Sequence, residues 1–453
     1  MLRPYRSTVW YQFASSLRNL FTTKTLIAFC CFTFVYTIFL SIDRPTVITT
    51  EEDLIQEVID NVGQDIRYAN MYRKKEKLPK NMKYILLWTS KDYAPFYFYE
   101  EGQKAFIKNN CSYVNCFVTD DKYFLDDIGQ FDVIAFNGRQ LSKDRDWFPP
   151  GRTPNQRYVY FNMESADNYP VCDKMYDNFF NWTATYRLDS DIPTPYIQIK
   201  NLDGVRVGPK MDMQWQVSER LVDQGLDVRW RNKTKAAAWF VSACNARSNR
   251  TKVAKALEEA MLPYDMKLYI FGSCGSYKCP RSKENDCFKM LKDEFYFYLS
   301  FENSLSEDYV TEKLLTALQH DVVPIVLGGA NYSRFLPPGS YLDASSHTPE
   351  ELAATMHAVI HSSRLYQNYF KWRNHYVYNK PHQGSTYFSS VCELCAALNN
   401  KTKMETNKVY EDFRGWWHPD HRERCKSAST TKTTNSILLF CLAILQVGIT
   451  IYF

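Results

Sequence analysis

Neither of the two common glycine-rich phosphate loops occurs in these 453 residues: there is no G-x-x-x-x-G-K-[ST] and no G-x-G-x-x-G. Neither a P-loop nor a dinucleotide fingerprint is therefore available to cradle a phosphate. Charge of one sign is not in excess. The formal net charge is +5 over the whole length, and no basic-aromatic array accompanies it, which argues against nucleic acid as a partner. No His pair stands at zinc-finger spacing, so Cys392-x-x-Cys395 reads as structural disulfide cysteine rather than as a metal site. No internal repeat is visible.

What is present begins with an apolar run. Thr25 to Ile42 holds 18 residues without a charge, close to the minimum for a membrane-spanning helix. Arg3, Arg6, Arg18 and Lys24 precede it, and Asp43, Glu51, Glu52 and Asp53 follow. The positive-inside rule then places the N-terminus in the cytosol and the bulk of the chain in the lumen. Ten cysteines lie between Cys111 and Cys425, and six N-x-S/T sequons start at Asn110, Asn181, Asn232, Asn249, Asn331 and Asn400. Both suit an oxidising, glycosylating compartment. A second apolar run, Ile437 to Phe453, follows a Ser/Thr-rich spacer. It suits a second span, a GPI signal or a plain tail.

Between these ends the pattern alternates strands and helices. Strands are expected at Lys83–Trp88, Cys116–Thr119, Asp132–Phe136, Tyr158–Met163 and Phe179–Tyr186. Residues 188–235 read as a Pro- and charge-rich bridge. Beyond it, AAAWFVS, KLYIFG, Phe295–Phe301, Val322–Leu327 and Tyr341–Ala344 read as strands. Helices are expected at Lys252–Met261, Phe288–Glu294, Pro349–Ile360 and Leu365–Tyr376. Alternating βα units imply α/β architecture with parallel sheets.

The stretch from Phe295 to Gly329 carries the most chemistry. An uncharged strand ends at Glu302-Asn303-Ser304, and Asp308 reads as the N-cap of the following helix. Tyr309, Glu312 and Lys313 then share one helical face aimed at the strand-helix mouth, where open α/β sheets bind ligands. The loop CysAsnAlaArgSerAsnArg opens another helix, whose N-terminus suits an anion, with Arg247 or Arg250 adding charge. Glu164 ends the strand RYVYFNME and is placed for a general base or a loop anchor. Asp189-Ser190-Asp191 is a D-x-D, the pattern with which many sugar transferases hold a divalent cation; the prolines at 193 and 195 equally suit a turn.

FYLSFENS, DYVTEKL and VPIVLG together resemble the signature of the α-1,3-fucosyltransferases, glycosyltransferase family ten. NYSRFLPPGS, YFKWR, YVYFNME and YRLDSDIPTPY extend the likeness over roughly residues 80–400. The resemblance implies a GT-B fold: two Rossmann-like domains facing a cleft, behind an N-terminal transmembrane helix, in a type II Golgi membrane protein. The divisions expected are a cytosolic tail (1–24), signal anchor (25–42), stem (43–80), acceptor domain (81–220), GDP-fucose domain (221–400), polar segment (401–436) and apolar tail (437–453). It implies inverting transfer from GDP-fucose to the 3-hydroxyl of N-acetylglucosamine on glycoprotein glycans, with no cofactor required and no catalytic metal. By position, Glu164 is the base, Arg250 and Lys313 face the diphosphate, and Glu312, Tyr309 and Asn303 line the donor pocket. Cys111 and Cys116 become candidates for pairing with Cys392 and Cys395. Glycans are expected at Asn110, Asn181, Asn232, Asn331 and Asn400, but not at Asn249, which adjoins Arg250. The competing expectations are a metal-dependent transferase using Asp189 and Asp191, and a non-catalytic lumenal glycan-binding protein.

Overall fold

The computed structural model describes residues 81–142, 147–222, 225–379, 389–406 and 408–426. The expected anchor at 25–42, the stem and the apolar tail lie outside the described residues. Among the described residues no helix is long and apolar enough to cross a membrane.

Two five-stranded parallel sheets organise the described chain. The first holds β1 (Lys83–Leu87), β2 (Cys116–Thr119), β3 (Val133–Asn137), β4 (Arg157–Asn162) and β5 (Trp182–Thr185), in the order β2-β1-β3-β4-β5. A small antiparallel sheet follows, built from β6 (Gln198–Asn201) and β7 (Arg206–Gly208). The second large sheet holds β8 (Lys235–Phe240), β9 (Leu268–Phe271), β10 (Phe295–Phe301), β11 (Val323–Leu327) and β12 (Leu342–Asp343), in the order β12-β11-β10-β8-β9. Read from its far edge, that is the same strand order as in the first sheet. The repeat that the residues do not show is thus present in the topology. All pairings within the two large sheets are parallel.

The strands form where uncharged runs can be covered on both faces. Every residue of β3, β4, β10 and β11 is buried. The strand order reverses between β1 and β3 and between β8 and β10. Loops leaving the carboxyl ends of those strands part there and open a crevice.

The helices that matter below are α1 (Arg250–Met261), α2 (Glu312–Gln319), α3 (Ser389–Asn399) and α4 (Phe413–Trp417). Three expectations need correction. Asp308 is not the N-cap of α2. It is a buried residue with φ +55°, and the helix starts at Glu312 behind Thr311. Tyr309 therefore precedes the helix instead of lying on its face. The helix expected over Leu365–Tyr376 is broken into Ser363–Asn368 and a 3-10 turn at Lys371–Asn374. Tyr376–Asn379 becomes β13, pairing antiparallel with β6. Ladder bonds to a strand far away in sequence outweigh local helical periodicity there.

The third correction concerns the boundary at 400. Although it follows the second sheet in sequence, α3 packs on the first: Val391, Leu394 and Leu398 join the core of Ile85, Phe106, Val118 and Val159. Cys111–Cys392 and Cys116–Cys395 fasten it, closing separations of 281 and 279 residues. These are the four cysteines that the resemblance singles out. Phe413 and Trp417 of α4 complete the opposite face of that sheet, against Tyr160.

Candidate active site

β10 carries Glu302 out of the core and leaves it 1% exposed. A carboxylate so buried needs strong partners. One oxygen accepts from the Thr311 N–H at 2.8 Å and the Thr311 hydroxyl at 2.8 Å, and the other accepts from Lys313 Nζ at 3.0 Å. Lys313 also donates to Thr311 Oγ1 at 2.7 Å and stands 3.3 Å from Glu312 Oε1. Burial alone draws the Lys313 ammonium down; the charges of Glu302 and Glu312 outweigh it and leave its pKa raised. Burial likewise opposes the Glu312 charge, but Lys313 holds that carboxyl below its ordinary value.

Arg250 opens α1 behind Asn249, which takes a left-handed φ of +53°. Its guanidinium is buried, donating to the carbonyls of Phe301 at 2.9 Å and Ala243 at 3.1 Å, and it stands 5.8 Å from the Trp239 ring centre. Burial lowers its pKa and Glu302 partly offsets this. Nε is buried and has no hydrogen-bond partner among the described residues. Arg247 instead reaches out of this half, 2.8 Å from Asp167 Oδ1. The two arginines thus have separate surroundings: Arg250 sits beside the Glu302 network and Arg247 sits at the junction of the halves.

Asn303 also stands at that junction. Its backbone carbonyl accepts from the Ser248 N–H at 3.2 Å, and its side-chain oxygen accepts from Asn168 Nδ2 at 3.3 Å. Tyr309 is buried edge-on to Tyr186 and Tyr196, with ring centres 4.9 and 6.1 Å away. Burial, with further opposition from nearby carboxylates, pushes its hydroxyl far above the ordinary phenol value, so it stays a proton donor.

Glu164 lies two residues beyond β4. Asn162 Oδ1 accepts its backbone N–H at 2.9 Å. Its carboxylate is about one-third exposed at 34%, with Oε1 3.9 Å from the Arg139 guanidinium. Arg139 follows β3 and lies between the rings of Tyr93 and Tyr169, at 5.5 and 5.1 Å. After burial itself, Glu164, Glu312 and Glu302 all oppose ionisation of the Tyr196 hydroxyl.

The D-x-D residues do something else. Asp189 accepts from Arg187 Nε at 2.9 Å, Arg187 Nη2 at 2.8 Å and Trp416 Nε1 at 3.0 Å. Asp191 accepts from the Thr183 N–H at 3.0 Å and the Tyr410 hydroxyl at 2.8 Å. The metal-binding expectation for Asp189 and Asp191 is thereby corrected: the two carboxylates anchor a turn through different partners. Among the described residues no group of three or more His, Cys, Asp and Glu is arranged to hold a metal.

Asn181 also needs correction as a glycan site. It is 1% exposed; Nδ2 donates to the Lys408 carbonyl at 2.9 Å, and Oδ1 accepts from the Tyr158 N–H at 2.9 Å. Its amide has no room for a sugar. Asn110, Asn232, Asn331 and Asn400 are exposed, as is Asn249.

Residues 80–197 match the family described as fucosyltransferase, N-terminal, and residues 230–416 match glycosyltransferase family 10 (fucosyltransferase), C-term. The chain belongs to glycosyltransferase family 10. This family 10 fucosyltransferase is 38% identical over 315 residues to alpha-(1,3)-fucosyltransferase C of Drosophila melanogaster, covering 68% of this chain and 70% of that one. It is 32% identical over 324 residues to glycoprotein 3-alpha-L-fucosyltransferase A of the same organism, covering 70% of this chain and 57% of that protein. With the human 4-galactosyl-N-acetylglucosaminide 3-alpha-L-fucosyltransferase FUT5 it shares 31% over 263 residues, covering 57% of this chain and 62% of that one. A crystal structure of an alpha1,3-fucosyltransferase with GDP-fucose aligns over 81% of the enzyme and all (100%) of that chain, at 15% identity and a TM-score of 0.40.

Glu302, Thr311, Arg139 and Asp167 are residues of this site to which sequence reasoning assigned no role. The signal for Glu302 was available: a carboxylate at the carboxyl end of an uncharged strand. Arg139, two residues beyond the equivalent end of β3, had a similar signal, a cation following an uncharged strand. Asp167 had none, because only the meeting of two loops gives it partners.

Proposed function

We propose that this enzyme transfers L-fucose from GDP-β-L-fucose to the 3-hydroxyl of an N-acetylglucosamine on glycoprotein glycans, with inversion at the fucose C1. In this reading the two sheets are the Rossmann-like halves of a GT-B fold. The observation that carries it is the meeting of the loop after Glu164 with the half that holds Lys313 and Arg250: Asp167 Oδ1 lies 2.8 Å from Arg247, and Asn168 Nδ2 donates to Asn303 Oδ1 at 3.3 Å.

Glu164 takes the proton of the acceptor 3-hydroxyl. The oxygen forms a bond to C1 of fucose while the bond from C1 to the phosphate oxygen breaks, and its electron pair leaves with GDP. One base on the attacking side and no covalent intermediate is the logic of inverting sugar transfer. Negative charge grows on the diphosphate as the bond breaks. Lys313, fixed by Glu302 and Thr311, and Arg250, with its buried Nε unpartnered, are the cations set to meet it. Preorganised groups of this kind contribute on the order of 2–4 kcal/mol each to the transition state. Glu312 is exposed enough to accept from sugar hydroxyls, and Tyr309 and Asn303 line the same mouth.

The acceptor is the innermost GlcNAc of an N-glycan core or the GlcNAc of a lactosamine-type antenna. In the same reading the enzyme is a single-pass type II protein of the Golgi membrane, supported by the 18 uncharged residues at Thr25–Ile42 and the four cations before them. The test is the purified full chain with GDP-fucose and a panel of core and antennal glycans, in excess chelator, with product linkage read by NMR. α1,3-Fucosylated product is expected on one of the two acceptor classes. No product on either, with the glycans still retained by the protein, overturns the reading in favour of a glycan-binding protein.

A further inference from the structure

The loop that follows the base, residues 165–172, is held at three points by a segment from the far end of the described chain. Trp417 Nε1 donates to the Tyr169 carbonyl at 2.9 Å. Arg424 Nε donates to the Asp167 carbonyl at 2.9 Å and lies 3.3 Å from its Oδ1. Cys425 closes a disulfide with Cys172 across 253 residues. The segment is seated firmly enough to bear on the loop. Phe413 and Trp417 are fully buried (0% exposed), and Arg414 reaches Asp177 Oδ2 at 2.9 and 2.8 Å.

Asp167 is where this segment meets the other half of the enzyme. Its carboxylate faces Arg247 of the second half at 2.8 Å, besides Arg424, and His418 Nε2 stands 3.8 Å away. Its backbone N–H donates to Ser306 Oγ at 3.1 Å, also from the second half. The neighbouring Asn168 reaches Asn303. Three cationic or ionisable side chains from two separate segments thus converge on one carboxylate, three residues past Glu164. A carboxylate shared in this way fixes the relative position of everything attached to it.

We propose that residues 408–426 are a strap that sets the Glu164 loop against the donor half, with Arg424 as its positioning residue acting through Asp167. The role rests on Glu164 being the base. Arg424 touches no reacting atom in this account. It holds the loop so that the base meets an acceptor already aligned with the donor, an alignment on which small displacements weigh heavily. The disulfide to Cys172 keeps the strap in place when the loop is loaded. Because the strap grips the acceptor-side loop, its loss lowers turnover and spares donor binding.

The test compares the full-length chain with Arg424→Met and Arg424→Lys. Arg424→Met is expected to lower kcat about tenfold, while KM for GDP-fucose stays within about twofold and Arg424→Lys recovers most of the loss. Amide hydrogen exchange is expected to rise about tenfold over 163–172 and to stay unchanged over β10. Exchange over 163–172 equal to that of the parent protein, or a kcat within twofold of it, overturns the proposal. Arg424→Gln carries the same comparison with the same overturning results if Arg424→Met does not fold. Exchange is read without any acceptor, so a parent protein that makes no fucosylated product sinks the proposed activity and leaves the strap to be judged on exchange alone.

Discussion

Replacing Glu302 by Gln keeps the shape of the side chain and removes its charge. The carboxylate accepts four contacts: the Thr311 N–H at 2.8 Å, the Thr311 hydroxyl at 2.8 and 3.0 Å, and Lys313 Nζ at 3.0 Å. An amide retains at most one acceptor oxygen. If that oxygen stays on Thr311, an NH2 group faces the Lys313 ammonium, donor against donor. At 3.0 Å and an effective dielectric of ~20 the lost attraction is about 5 kcal/mol. Glu312, 3.3 Å from Lys313, compensates in part, though its side chain is 55% exposed. A net loss of about 3 kcal/mol follows, at the lower end for breaking a buried pair. For a domain of this size that lowers Tm by roughly 5–10 °C. kcat falls further per folded molecule, by about tenfold, because Lys313 no longer has a fixed position from which to meet the leaving diphosphate. The pH dependence sharpens the test. Lys313 is raised above the ordinary lysine value by Glu302 and Glu312 against burial. The stability it contributes is fully present below that ordinary value and is lost as pH rises through the raised one. In Glu302→Gln burial is no longer outweighed in this way, so the alkaline fall in kcat moves to lower pH. Thermal denaturation of the two proteins, with pH–rate profiles from pH 7 to about 11.5, past the ordinary lysine value of about 10.4, decides it. A Tm within 2 °C of the parent, or an alkaline limb that does not move, refutes the reasoning.

Glu164→Gln keeps the volume and the Asn162 contact to the backbone, and should cost about 10²–10⁴ in kcat with KM for GDP-fucose within about twofold, by steady-state kinetics. Glycopeptide mapping of the secreted or membrane-bound protein should find Asn181 bare, because its amide is sequestered, and Asn249 bare beside Arg250; a glycan on Asn181 would contradict the packing of the Lys408 segment against β5. Lys233 is 3% exposed, and burial draws its pKa down to about 7 despite Asp321. Its folded value lies below its unfolded one, so the unfolded chain binds the extra proton between pH 7 and 10 and stability rises with pH across that window. Lys233→Met should therefore stabilise the enzyme by about 2–4 kcal/mol at pH 7, a gain that shrinks towards pH 10 in chemical denaturation; a gain independent of pH would refute the buried-amine account.

Much of the fold is legible locally. β10 reads as a strand because seven uncharged residues follow one another, and all seven are buried. The expected helix at Pro349–Ile360 is observed with those bounds and a full capping box at Thr348 and Glu351. The small sheet is not legible, because β6 and β7 are four and three residues long and β13 joins them from across the second half. Asp308 misleads for a related reason. It has the composition of an N-cap, but its carboxylate is spent on Arg334 at 2.8 Å and the Leu188 N–H at 3.1 Å, both distant in sequence. Asp189 and Asp191 follow the same rule in part: Trp416 and Tyr410 hold them from 227 and 219 positions away, while Arg187 and Thr183 are close in sequence.

The residues alone determine which segments become strands and helices, and the motif around Glu302, Glu312 and Lys313 names the family. They do so because local periodicity and the lack of charge are properties of consecutive residues. Tertiary structure decides which loops meet. Arg247 faces Asp167 and not its neighbour Arg250, Asn181 is sealed by residue 408, and the last described segment returns to grip the loop beside Glu164. Each of these pairings joins residues 80 to 257 positions apart, set by the order of parallel strands and by disulfides. No window of sequence spans that distance, so only the folded chain brings Glu164, Arg250, Lys313 and the segment that ends at Lys426 together.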